Sequence, residues 1–207
     1  RIYIYYLSEA AQTGRDILFD QNGKYNLAIR RTLESIYKNY KGDTNDEDYK
    51  AFTVYLKQVW FANGIHQHYS TDKITPAFSN EFLINEIKSL PAEKLPLREG
   101  ETADDLLAEI LPVIFDPAIM AKRVNLAAGE DLIKTSACNY YDGVTQQEAE
   151  EFYAAMRDTT TSQPISYGLN SRLVKRDGRI YEETYKIGGR YSAALEKIAE
   201  CLEKAQE

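Results

Sequence analysis

Residues 167–187 read YGLNSRLVKRDGRIYEETYKI. Asp177-Gly178 lies in the middle, and a two-residue loop of this kind suits a type I′ turn, whose central residues both take positive φ. Val174 and Tyr181 then face each other across the turn, and Gly188-Gly189 breaks the second strand. The stretch therefore predicts a β-hairpin. A lone hairpin is only marginally stable in water, so this one must pair with further strands, here or downstream, or pack on helices.

Outward from the hairpin the pattern is helical. A last helix carries Leu195, Ile198, Ala199 and Leu202 at helical spacing and meets the chain end uncapped, as expected of a chain cut short. Before the hairpin, Thr145-Gln146-Gln147-Glu148 is a capping box, leading a helix with Ala149, Phe152, Tyr153 and Met156 inward. Residues 125–143 lack periodicity and read as loop. Residues 2–13 read as a helix that Gly14 can stop, and 15–23 as polar and turn-rich. A helix over about 24–40 carries Ile29, Leu33, Ile36, Tyr37 and Tyr40. Thr44-Asn45-Asp46-Glu47 is a second capping box; its helix sets Phe52, Tyr55, Leu56, Val59 and Trp60 on one face and ends near Asn63-Gly64. Trp60 is expected to be largely buried with its indole N–H bonded.

Ser79 caps a short helix through Ile87, and Thr102 starts another that Pro112 limits. Asp116-Pro117 reads as an N-cap and first helical residue. The expected fold is α+β and mostly helical. A helical region, 1–158, contains a cleft loop at 61–77; the hairpin and a C-terminal helix fill 159–207.

Composition narrows the function. With 25 Lys+Arg against 32 Asp+Glu the net charge is -7. Non-specific nucleic-acid binding needs a basic face to displace counterions, so no nucleic-acid partner is expected. No apolar run approaches the ~18 residues of a membrane span, and no signal peptide is visible. The chain begins without Met, as a processed or excised form would; a cytoplasmic setting and no membrane partner are expected. Two cysteines, Cys138 and Cys201, make no disulfide framework. The 16 Tyr suit half-buried helix faces and peptide clefts alike.

No His-Glu-x-x-His, P-loop, Gly-rich dinucleotide fingerprint or Gly-x-Ser-x-Gly occurs. His66 and His68 are the only histidines, and two imidazoles two apart fall short of the three protein ligands of a catalytic zinc. No catalytic and no metal-ligating residue is therefore assigned. Asp104-Asp105 reads as a helix N-terminus and Glu182-Glu183 as an exposed strand face. The segment with most chemistry is 60–73, WFANGIHQHYSTDK. It sets an aromatic pair, a glycine, two imidazoles, a Tyr and an Asp-Lys pair at a helix end. That composition fits a binding loop on a rigid helix; it fits equally a helix C-cap followed by a polar connection.

This segment resembles one in the dipeptidyl peptidase III family of zinc metallopeptidases, especially its bacterial members. There a Trp-Phe-(Ala/Ser)-Asn-Gly-Ile-His-His-His-Tyr-type stretch precedes an Asp-Lys pair; Gln67 stands here in place of the middle His. Further similar stretches follow in order: Tyr5 to Ala11 with Gly14-Arg15-Asp16, Asp20-Gln21-Asn22, Lys24-Tyr25-Asn26, Asn170 to Lys175 with Asp177-Gly178, and Lys186 to Gly189. The resemblance implies the N-terminal, non-metal portion of a two-lobed exopeptidase that releases dipeptides from peptide N-termini. Zinc, held by a His-Glu-x-x-Gly-His helix and a later Glu, would lie in the remaining metal-binding lobe of the parent chain, so this segment alone is expected to be inactive. The implied substrate-binding residues are Tyr69, whose counterpart faces bound peptide, and, by motif position, His66, His68, Asp72 and Lys73. The alternative is a stand-alone helical peptide- or protein-binding module.

Overall fold

A computed structural model describes residues 2–206; Arg1 and Glu207, the outer ends of the two regions read from the sequence, lie outside the described residues. The fold is mostly helical α+β. In chain order the elements are α1 (Ile2–Asn22), α2 (Asn26–Asn39), α3 (Glu47–Ala62), α4 (Asn80–Ser89), α5 (Ala103–Phe115), α6 (Leu132–Thr135), β1 (Tyr141–Asp142), α7 (Gln146–Met156), β2 (Ser171–Arg176), β3 (Arg179–Thr184) and α8 (Ser192–Gln206). Two compact units form, one of residues 22–124 and one of 2–21 with 125–206. This grouping runs across the regions 1–158 and 159–207. Among the described residues no helix is long and apolar enough to cross a membrane.

The 22–124 unit packs α2, α3, α4 and α5. Ile29, Leu33 and Ile36 of α2 are buried, as are Phe52, Tyr55, Leu56 and Val59 of α3. Phe78 joins the rings: it meets Phe52, Tyr55 and Phe115 edge-on, with centroids 5.8, 5.4 and 5.6 Å away. Ser79 caps α4 by accepting from Phe82 N, and Thr102 and Asp105 form a reciprocal capping box on α5.

Several expected boundaries move. α1 runs through Gly14 to Asn22, because Phe19, beyond the glycine, is fully buried; one glycine costs only about 0.5–1 kcal/mol in a helix. α5 continues through Pro112 to Phe115, with Val113 and Ile114 buried and the proline exposed. Asp116 closes α5 instead of opening a helix; its carboxylate accepts from Ala118 N in a turn. Thr44 does not cap α3. A turn from Asp43 places Asp46 first, and its carboxylate accepts from Tyr49 N. Tyr37 is exposed. Trp60 keeps a minor part of its surface exposed, and its indole N–H is bonded as expected, donating to Glu34 Oε1 at 2.8 Å; its ring meets Tyr37 edge-on.

In the other unit the sheet order is β1-β2-β3. Asp177 (φ 51°) and Gly178 (φ 73°) make the turn, and Val174 pairs with Tyr181. β1, a two-residue strand within the expected loop 125–143, pairs in parallel with β2. Val144, Ala149 and Leu173 form the local core beneath α7, whose Thr145–Glu148 capping box is present. The paired acids of β3 are not an exposed face. Glu182 accepts from Ser171 Oγ at 2.8 Å, and Glu183 pairs with Arg172, Arg176 and Arg190. Asp20 accepts from Arg190 at 2.8 Å and from the Tyr191 hydroxyl at 2.6 Å. Neither cysteine forms a disulfide.

Candidate functional site

α3 ends on Asn63, left-handed at φ 55°, and Gly64 follows at φ 155°. A Cβ on Gly64 would come within 2.5 Å of Asn26 Nδ2, so any other residue here would displace the Asn26 side chain as well as strain the backbone. The backbone then doubles back. Ile74 N donates to Ile65 O at 2.8 Å, Gln67 N to Asp72 O at 2.8 Å and Thr71 N to Gln67 O at 3.2 Å. Residues 65–74 thus form a small hairpin with His68 to Thr71 at its tip.

Residues 119–124 brace this hairpin. Lys73 N donates to Ala121 O at 3.1 Å and Arg123 N to Thr71 O at 2.8 Å. Thr71, in the left-handed region at φ 62°, donates through Oγ1 to Val124 O at 3.0 Å. Arg123 also reaches His68 O at 3.2 Å. Its backbone is tied on both sides, which fixes where the tip residues stand.

The five residues selected from the sequence separate here. His66 is only 2% exposed, and its Nε2 lies 2.7 Å from Met120 O. A carbonyl only accepts, so Nε2 carries the proton. Burial holds this imidazole below the usual histidine range, with Lys73 and Arg123 adding to the shift against the Met120 bond and Asp72. Lys73 is turned inward as well. Its ammonium donates to Val113 O at 2.8 Å, to Asp116 O at 2.7 Å and to Ile119 O, satisfying carbonyls at and beyond the end of α5. Burial lowers its pKa, opposed by Asp116. Asp72 pairs with Lys122 at 2.7 Å, and that hydrogen bond holds its carboxyl below the usual range.

Only His68 and Tyr69 face outward into a groove. Their rings meet edge-on at 5.0 Å, and Tyr69 is 90% exposed. The groove has a volume of about 590 Å³. Val54, Lys57, Gln58, Phe61 and Ala62 of α3 form one wall; Gln67, His68, Tyr69 and Ile74 form the other. Phe61 is 78% exposed. Spacings of three and four residues set Val54, Lys57, Gln58 and Phe61 on one stripe, apart from the stripe that fills the core, to which Ala62 belongs. Of the α3 wall, only Phe61 and Ala62 fall within the cleft loop 61–77 expected from the sequence; Val54, Lys57 and Gln58 lie outside it. The wall's signal was present: Val54 and Phe61, two turns apart, are apolar residues left over once the core face is assigned.

His66 and His68 do not fit a shared zinc, since one ring is buried on a carbonyl and the other points to solvent. Among the described residues no three His, Cys, Asp or Glu side chains converge as a metal-ligand set. Neither a protein-family model nor a curated protein matches this sequence.

Proposed function

We propose that the chain supplies one wall of the peptide cleft of a zinc-dependent exopeptidase of the dipeptidyl peptidase III type, an enzyme that releases dipeptides from peptide N-termini. On this reading the zinc and the carboxylate that aims its water belong to residues outside this chain. The observation that carries the proposal is the groove itself: an aromatic, apolar trough whose most exposed ring, Tyr69, stands on a hairpin braced at both edges. Such a wall binds and orients. Phe61 and Tyr69 offer ring faces to a peptide side chain, while the Gln58 and Gln67 amides can donate to and accept from a peptide backbone. Contacts remote from the scissile bond accelerate reaction by holding the substrate in place.

The test is dipeptide release from a dipeptidyl arylamide by the complete gene product with zinc. Tyr69→Ala should reduce kcat/KM by about 1–3 kcal/mol of transition-state stabilisation. The melting temperature should stay unchanged, because an exposed ring adds little to the core. Unaltered kinetics would remove Tyr69 from the site, and absence of dipeptide release would remove the peptidase.

One observation favours a second reading, a stand-alone peptide-binding module. Every residue lining the groove falls between 54 and 74, inside one unit, so the groove needs no second lobe to exist. Peptide binding without hydrolysis by the complete product would select it.

A further inference from the structure

The groove differs in charge from the chain around it. Acidic residues outnumber basic ones by 32 to 25, yet no Asp or Glu lines the groove. Its one lysine, Lys57, lies between Val54, three residues before it, and Phe61, four residues after it. Lys50, Lys122 and Lys175 are paired with carboxylates. Lys57 has no hydrogen bond or ion pair among the described residues. An unpaired cation between two exposed apolar side chains complements a ligand that is apolar and acidic at once.

Spacing narrows the ligand further. Lys57 and Phe61 are about 6 Å apart along the helix axis at ~1.5 Å per residue. In an extended peptide, residues i and i+2 point the same way, roughly 6.7 Å apart. We infer that the groove takes peptide segments carrying an apolar and an acidic side chain two residues apart, with Lys57 as the residue that selects the acid. The inference rests on the reading of this groove as a peptide site. The apolar side chain packs between Phe61 and Tyr69 and supplies most of the affinity; the exposed charge pair adds selectivity.

The experiment titrates the full chain with three capped tripeptides, Phe-Ala-Glu, Phe-Ala-Gln and Phe-Ala-Lys. It follows the backbone amide NMR shifts of Lys57, Phe61 and Tyr69, and the rest of each spectrum reports whether a variant is folded. The Glu peptide should bind about 3–5-fold tighter than the Gln peptide at low salt, with the Lys peptide weakest, and the gap should close as salt rises. Lys57→Glu should invert the order. If Phe61→Ser weakens all three peptides but the Glu and Gln peptides bind alike before and after Lys57→Glu, the acid selectivity is wrong and the peptide site stands. If no peptide binds, or Phe61→Ser and Tyr69→Ala change nothing, the peptide site falls and the inference falls with it.

Discussion

His66 and His68 stand two residues apart in opposite surroundings. His68 meets solvent, while His66 is enclosed, with Nε2 on the Met120 carbonyl and Nδ1 buried without a hydrogen-bond partner. Adding a proton at Nδ1 would place a cation inside the protein near the Lys73 and Arg123 charges. The folded chain therefore resists a proton that the unfolded chain accepts near the ordinary value of 6.5. Above that value both states are neutral and His66 carries no pH dependence. As pH falls below it the unfolded state binds more protons, so native stability declines until the lower folded-state value is reached. The melting temperature should fall between pH 7.5 and 5. His66→Gln, whose amide can still donate to Met120 O, should show a shallower fall; parallel profiles would mean that His66 senses nothing. Met120, whose carbonyl holds His66, itself sits at φ 50°, a conformation that costs roughly 1–3 kcal/mol in a non-glycine residue. None of this could be read at residues 60–73. Which imidazole turns inward depends on a carbonyl 54 residues away, and Lys73 faces carbonyls 40 or more residues away. A motif records residue types in order, whereas these roles depend on partners distant in the chain.

Trp60 shows what happens at the level of an element. The 3.6-residue period identified α3 and its core stripe, and Phe52, Tyr55, Leu56 and Val59 are buried as the spacing requires. Trp60 lies at the edge of that stripe, with part of its ring wet and its N–H on Glu34. Full burial would make Trp60→Ala cost about 3–5 kcal/mol. A partly exposed ring with one hydrogen bond should cost about 2 kcal/mol in chemical denaturation. A loss above 4 kcal/mol would restore Trp60 to the core. The same weighing explains which helix ends were legible. The boxes at Thr102 and Thr145 both form, Thr102 with Asp105 and Thr145 with Glu148. At Thr44 the Asp43 turn competes and wins, with Asn45 N on Asp43 Oδ1 at 2.8 Å and Asp46 N on Asp43 O at 3.0 Å. Gly14 and Pro112 are stop signals, the glycine costing about 0.5–1 kcal/mol in a helix and the proline about 3 kcal/mol. Burying apolar side chains beyond them, Phe19 in α1 and Val113 with Ile114 in α5, outweighs signals of that size. The Asp177-Gly178 turn was fully legible because both its residues need positive φ whatever surrounds them. β1 was not, since two residues carry no period.

The two units of the molecule differ in how the chain builds them. One is discontinuous: Tyr191 and Arg190 bond Asp20 across 171 and 170 residues of sequence. The other, 22–124, is a single run. It holds α2 to α5, the 65–74 hairpin, its brace and every residue of the groove. α3, α4 and α5 bring their own caps at Asp46, Ser79 and Thr102, and Asn22, the unit's first residue, donates to Asn63 O at 3.0 Å, holding the end of α3. Apart from the signals at Thr44, Pro112 and Asp116, local signals and buried stripes agree in this run, which favours independent folding, and roughly 100 residues is an ordinary domain size. An excised 22–124 piece should therefore melt cooperatively, with a stability of about 5 kcal/mol, and should show the same amide shifts for Lys57, Phe61 and Tyr69 as the full chain. The measurement is a urea melt by circular dichroism alongside the two NMR spectra. A non-cooperative melt would mean that this core needs the rest of the chain. A cooperative melt with altered shifts at those three positions would mean that the hairpin and groove, unlike the helices beneath them, are set from outside residues 22–124.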